Sequence, residues 1–203
     1  MNRILVLFAH PAFQKSRINV RLKAAIDHLD FLTVHDLYDA YPEFDIDVAR
    51  EQALLADHDV VAFHHPFFWY STPAILKEWQ DLVLEHGWAY GSTGTALDGK
   101  IFLNIITTGG RAAAYTPDGF NGLTVRQLLA PIERTALLCN MRFLPPFTVS
   151  GTHSIDMDEV DNRAEQLAGL LTRLHQNRLD IDAAGRHDTL NDYLTTLSAE
   201  SSS

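Results

Sequence analysis

The stretch Ile101-Phe102-Leu103-Asn104-Ile105-Ile106-Thr107-Thr108-Gly109-Gly110 decides the fold of this 203-residue chain. Its first six residues form a short apolar run with the length and branching of a buried strand. Two hydroxyl side chains and two glycines follow at once. With no Cβ on the glycines, their backbone N–H groups stay open to close approach. Two other apolar runs end in unusual loops. Ile4 to Phe8 leads into Ala9-His10-Pro11, and Val60 to Phe63 into His64-His65-Pro66-Phe67-Phe68-Trp69-Tyr70. Ligands of open α/β sheets bind outside the carboxyl ends of the strands, so three such loops on one edge point to one site.

Strand and helix patterns alternate outward from that stretch, which argues for parallel βα units. Arg3 to His10 reads as the first strand, and Ile18, Leu22, Ala25, Ile26 and Leu29 recur at helical spacing over roughly Ser16 to Leu29. Phe31 to His35 is a second strand, Val48 to Ala56 a short helix, and Asp59 to His64 a third strand whose near-continuous apolar character fits a central position. Thr72-Pro73 reads as a capped start for a helix to about Glu85. Lys100 to Ile106 is the fourth strand, Val125 to Leu138 a helix and Arg142 to Ser150 a proline-containing fifth strand. Asp156 with Glu159 resembles a capping box for a helix to about Gln176. The expected fold is a flavodoxin-like doubly wound α/β sheet of five parallel strands in the order 2-1-3-4-5. Residues 1–176 form the domain. Residues 177–203 are a tail in which Leu190, Tyr193, Leu194 and Leu197 allow one amphipathic helix, with Ser201 to Ser203 fraying.

Composition narrows the function. The formal charge is −10, from 26 acidic against 16 basic residues, with no Lys/Arg cluster to hold a phosphate backbone. Nucleic acid is therefore not an expected partner. The single cysteine, Cys139, excludes an internal disulfide and any CxxC site. In the apolar run Ala136 to Cys139 it reads as a buried, inert thiol. The first strand begins almost at Met1, which leaves no room for a signal peptide, and no apolar run reaches the ~20 residues that span a bilayer. The expected location is the cytoplasm, with docking at the inner membrane left open.

Each loop has two readings. Ser16-Arg17-Ile18-Asn19 stands where the first helix begins, and a helix N-terminus offers open N–H donors to a phosphate. Ser16 as a plain helix cap reads equally well. No GxGxxG and no GxxxxGK[ST] is present. Pro66, Phe67, Phe68, Trp69 and Tyr70 either pack under their own loop or present a flat apolar face to a flat ligand. Their place between a phosphate-ready turn and Thr107 to Gly110 favours the ligand, and a flavin needs this combination of parts. His10, His64 and His65 invite a metal, but neighbours on a strand face opposite ways and no carboxylate motif joins them. No metal is expected.

These residues, in this order, resemble the flavodoxin-like NAD(P)H:quinone oxidoreductases. The parts are Ala9-His10-Pro11, Ser16 to Asn19, Pro66 to Lys77 and Thr107 to Gly110. The segments Leu37 to Asp47, His86 to Gly91 and Leu144 to Phe147 carry a closer likeness to the ancillary oxidoreductases of glutathione-regulated potassium efflux. The resemblance covers about Arg3 to Gln176. It implies that His10, Ser16, Arg17, Ile18 and Asn19 hold the phosphate and ribityl chain of a flavin. Pro66, Phe67, Phe68, Trp69 and Tyr70 would line its ring, and Thr107, Thr108, Gly109 and Gly110 would contact its polar edge. In animal quinone reductases a tyrosine and a histidine after the Thr-Thr-Gly-Gly run assist there. Tyr115 matches the tyrosine, but Asn121 stands at the histidine position and cannot shuttle a proton at neutral pH.

The implied cofactor is FMN, although FAD shares the legible part of the site. NAD(P)H is the implied co-substrate, and quinones or similar acceptors are reduced by ping-pong hydride transfer. The resemblance also implies a homodimer whose second subunit walls part of the pocket; Trp88, Tyr90 and Phe120 are wall candidates or ordinary packing residues. Two alternatives are a regulatory subunit of a membrane potassium antiporter and an electron-transfer flavodoxin without a substrate of its own.

Overall fold

In the computed structural model, which describes residues 1–200, the alternating pattern becomes a parallel sheet covered on both faces. The strands are β1 (Ile4–Phe8), β2 (Leu32–Asp36), β3 (Val60–Pro66), β4 (Ile101–Thr108), β5 (Arg142–Phe143) and β6 (Phe147–Ser150). The helices are α1 (Arg17–Ile26), α2 (Leu37–Ala40), α3 (Val48–Ala56), α4 (Ala74–Val83), α5 (Val125–Leu128), α6 (Ala130–Leu138), α7 (Met157–His175), α8 (Ile181–Ala184) and α9 (Leu190–Glu200). The strand order is β2-β1-β3-β4-β5, as the sequence predicts, with β6 also paired to β4. β1, β3 and the interior of β4 are buried throughout, because helices cover both faces. One core layer packs Ile18, Leu22 and Ile26 of α1 with Leu167, Leu170 and Leu171 of α7; the other packs Ile75, Leu76 and Trp79 of α4 with Ile132 of α6.

Four local expectations need correction. The fifth strand is two pieces. β5 pairs with the start of β4 and β6 with its end, because Pro145 and Pro146 between them have no N–H to donate. The helix expected over Val125–Leu138 breaks at Leu129, one residue before Ala130-Pro131 start α6. Thr72 does not cap α4: Pro73 occupies the N-cap position and no side chain bonds there. Asp156 caps α7 by accepting from the Asp158 N–H, while Glu159 pairs with Arg163 rather than closing a capping box.

The tail adds α8 and α9, with Ala184, Leu190 and Tyr193 buried in the α1/α7 core layer. Asn191 ties it down by accepting from the Thr148 N–H at 2.8 Å and donating to the Thr148 carbonyl at 3.1 Å. The fraying expected of Ser201 to Ser203 lies outside the described residues. On the opposite side of the sheet the fully buried Glu51 of α3 accepts from Tyr41 Oη at 2.6 Å and Trp79 Nε1 at 2.8 Å, and meets His35 Nε2 at 2.8 Å. This carboxylate ties α3, α4, β2 and the loop after α2 into one unit.

Candidate active site

β1, β3 and β4 all end at the same edge, and a cleft of about 580 Å³ opens there. His10, Ser16 to Asn19, Pro66 to Phe68, Thr107 and Gly109 line it, so three loops far apart in sequence meet as expected. Register makes this possible: Pro66 sits beside Thr107 across β3 and β4, and Phe8 beside His64 across β1 and β3.

At the start of α1, Ser16 accepts the Asn19 N–H at 3.2 Å and so is a true N-cap. It also lines the cleft, so capping the helix does not remove it from the site. The Arg17 and Ile18 N–H groups belong to the first turn and have no intrahelical acceptor. Both residues line the cleft at the positive end of the helix dipole, which favours an anion. His10 Nδ1 accepts the Ala12 N–H at 3.1 Å, which leaves Nε2 as the ring's donor. Burial holds the His10 imidazole below its usual pKa, with the Asp36 carboxylate opposing.

The second loop is a tight turn. Phe68 and Ser71 exchange both backbone hydrogen bonds, at 3.1 and 2.9 Å, around Trp69 (φ 50°) and Tyr70 (φ 62°). Two successive positive φ angles make a type I′ turn, a geometry that normally takes Asn-Gly. Two aromatic residues in the left-handed region are strained, and such strain clusters at functional sites. Phe67 is nearly buried beneath the loop and lines the cleft together with Phe68, while Trp69 is 94% exposed.

In the third loop the two threonines divide their work by strand alternation. Thr107 Oγ1 accepts from Asn19 Nδ2 at 3.1 Å on the α1 side. Thr108 Oγ1 donates to the Gly110 carbonyl at 2.8 Å, so its hydroxyl braces the turn instead of facing the cleft. Tyr115 lies against Gly110, where an added Cβ would come within 3.1 Å of its hydroxyl, and edge-on to Phe67 at 6.2 Å. Asn121 accepts from Tyr70 Oη at 3.1 Å and donates through Nδ2 to the Ala114 carbonyl at 2.9 Å. It therefore joins the second and third loops. Trp69, Tyr70, Thr108, Gly110, Tyr115 and Asn121 do not line the cleft.

Sequence reasoning missed Thr152 and His153. They follow β6 and line the cleft, held by a hydrogen bond from the Thr152 N–H to the Thr108 carbonyl at 3.1 Å. Their only local signal is Gly151, whose φ of 76° turns the chain off the strand. Trp88 and Tyr90 pack against the core, while Phe120 is 92% exposed. Among the described residues no group of three or more His, Cys, Asp or Glu is placed to hold a metal ion. Cys139 is buried, and burial pushes its thiol up.

The parts fit a flavin mononucleotide: open helix N–H groups for the phosphate, an apolar wall at Phe68 and a glycine strand end. Comparison with known proteins decides the family. A family model for the flavodoxin-like fold matches residues 2–174. The chain belongs to the flavodoxin-like family. An uncharacterised NAD(P)H oxidoreductase of Bacillus subtilis, YrkL, is 43% identical over 173 residues, 85% of this chain and 99% of that protein. The glutathione-regulated potassium-efflux ancillary protein KefG of Cronobacter sakazakii is 49% identical over 72% of this chain and 80% of its own length. General stress protein 14 of Treponema denticola, solved in complex with FMN, superposes with a TM-score of 0.81 at 39% identity, over 85% of this chain and 99% of that one. An NADPH-quinone reductase from P. pentosaceus does so with a TM-score of 0.76 at 29% identity, over 83% of this chain and 96% of that one. Like the reductases among these flavodoxin-like relatives, the chain is an oxidoreductase.

Proposed function

We propose that this protein is an FMN-dependent NAD(P)H oxidoreductase that reduces quinone-like acceptors by two electrons in a ping-pong cycle. The observation that carries the reading is the cleft itself, in which an anion cradle at Ser16 to Asn19 runs into an aromatic wall at Phe67 and Phe68 beside Gly109. FMN bound there supplies reversible hydride chemistry between a nicotinamide and an acceptor. The chain's own groups do the rest. The first-turn N–H groups of α1, with the Ser16 and Thr107 hydroxyls, hold the phosphate. His10 offers a neutral N–H donor to the ribityl chain. Phe68 excludes water from one side of the ring, and the backbone at Gly109 and Gly110 presents donors to its pyrimidine edge, where charge grows on reduction. The Tyr115 hydroxyl, packed against Gly110, would hold or move a proton at that edge.

Trp69, Tyr70 and Phe120 form the outer rim, and their exposure supports a second copy of the chain as the missing wall. Among the described residues no helix is long and apolar enough to cross a membrane. We place the protein in the cytoplasm.

Anaerobic absorbance spectroscopy tests the reading. Flavin bands that appear on FMN addition and bleach with NADPH are expected; a protein that takes up no flavin would overturn it. Parallel double-reciprocal lines with a quinone acceptor are expected of ping-pong kinetics, and intersecting lines would exclude that cycle. The 49% identity to KefG supports a second role, as an ancillary subunit at the inner membrane that docks on a potassium-efflux antiporter. Retention on the antiporter's cytosolic domain is the measurement, and absence of retention counts against it.

A further inference from the structure

Beneath the cleft lies a histidine that none of the roles above uses. His64, on β3, is fully buried, and its Nε2 is 3.1 Å from Asn19 Oδ1. Asn19 is 2% exposed, and its Nδ2 donates to Ser16 Oγ at 2.9 Å and to Thr107 Oγ1 at 3.1 Å. Four residues from α1, β3, β4 and the turn before α1 thus form one hydrogen-bonded set, and all of them but His64 line the cleft.

A hydroxyl has one proton and two lone pairs, so its partners fix where the proton points. Ser16 Oγ already accepts from both the backbone N–H and Nδ2 of Asn19. Its own proton is left for the cleft. Thr107 Oγ1 accepts from Nδ2 in the same way, so its proton is also free to face outward. Everything depends on which way round the Asn19 amide sits. Turned over, it would accept from both hydroxyls and draw their protons inward.

His64 settles the orientation. Burial, reinforced by the nearby His65 and His10, pushes its imidazole down to about 3, so the ring is neutral and carries one proton. Its Nδ1 is buried without a hydrogen-bond partner. A proton on Nδ1 would be an orphaned buried N–H, whereas a proton on Nε2 leaves only a lone pair unmet. An unpaired buried donor is the costlier and rarer of the two. The proton belongs on Nε2, where it donates to Asn19 Oδ1 and holds the amide with Nδ2 toward the hydroxyls.

We infer that His64 is a positioning residue that, through Asn19, sets the Ser16 and Thr107 hydroxyls as donors and makes the cleft floor selective for an acceptor-only oxyanion, the dianionic phosphate monoester of the cofactor. The inference rests on the flavin reading for the identity of that ligand. It assigns specificity to a residue that never touches the ligand.

Two measurements test it. In the cofactor-free protein, the ¹⁵N shifts of the His64 ring at neutral pH should show the proton on Nε2 and a bare Nδ1. Titration with FMN and with riboflavin, which lacks the phosphate, should then be read by quenching of flavin fluorescence. His64→Leu cannot donate to Asn19 and is expected to weaken FMN about tenfold or more while riboflavin changes little. His64→Gln restores a donor and should recover most of the difference. A proton on Nδ1, or a His64→Leu variant that weakens both flavins equally or neither, would overturn the inference. The tautomer is read in the unaltered protein and does not depend on either variant folding. Wild-type protein that binds neither flavin would overturn the flavin reading instead, leaving the tautomer to decide the polarity of the floor.

Discussion

The imidazole of His153 fills the space that a side chain at Gly109 would need: Nε2 lies 3.0 Å from the position of an added Cβ. The two residues are on different loops, after β4 and after β6, and both line the cleft. A side chain at Gly109 therefore has room only where the His153 ring gives way by a few tenths of an ångström.

Gly109→Val is expected to push His153 into the cleft and to weaken FMN binding by about tenfold or more, equivalent to roughly 1.4 kcal/mol. Gly109 does not need a positive φ, so the fold should survive, with an unchanged far-ultraviolet circular dichroism spectrum. Adding His153→Ala should recover part of the lost affinity. A Gly109→Val protein that purifies with its full flavin content would remove this loop from the site.

Tyr115→Phe keeps the ring against Gly110 and Phe67 and deletes only the hydroxyl. Flavin content should stay near that of the wild type. Bleaching by NADPH in stopped flow should slow by about tenfold to a hundredfold, the low end of what a positioned proton donor contributes. An unchanged rate would make Tyr115 a packing residue.

Asn121→Ala removes the acceptor for Tyr70 Oη and one of the two hydrogen bonds to the Ala114 carbonyl. The Trp69–Tyr70 turn is strained, so losing this tie should loosen the cleft's aromatic rim. The expected effect is a KM for the acceptor raised severalfold with kcat nearly kept, and a stability cost of about 1 kcal/mol. A fall in kcat at unchanged KM would instead put Asn121 in the chemistry.

The sheet was legible because apolar runs alternate with helical periodicity, which argues for parallel βα units, and β1, β3 and β4 are buried enough to read as strands. The edge was less so. Pro145 and Pro146 stand inside a run that otherwise alternates, and only pairing to β4 shows that β5 and β6 share one sheet position. Ser16, Asn19, Thr107 and Gly109 were visible as strand-end and helix-start chemistry. His153 was not, because an exposed histidine four residues before a helix has no pattern until β6 brings it beside β4. His64 was weighed only as a metal ligand, since sequence spacing reveals which face it takes but not the amide it meets.

Acid stability gives a separate view of the buried histidines. His64 is held down to about 3 and His65 to about 4, chiefly by burial, whereas in an unfolded chain each titrates near 6.5. As pH falls below 6.5 the unfolded state takes up protons that the folded state refuses. Stability is therefore full above that value and lost as pH drops, by about 1.4 kcal/mol per pH unit for each histidine until its folded value is reached. Glu51 acts in a lower window. Burial alone would raise its carboxyl, but hydrogen bonds from His35, Tyr41 and Trp79 outweigh this and hold it below 4.5, so its contribution fades only beneath that pH. Between pH 6.5 and 4.5 the histidine pair should dominate. Urea midpoints are expected to fall steeply from pH 7 to pH 5, and His65→Asn should flatten the slope. Equal midpoints at the two pH values would mean that both rings protonate inside the fold, and the neutral His64 on which the polarity of the cleft floor depends would go with them.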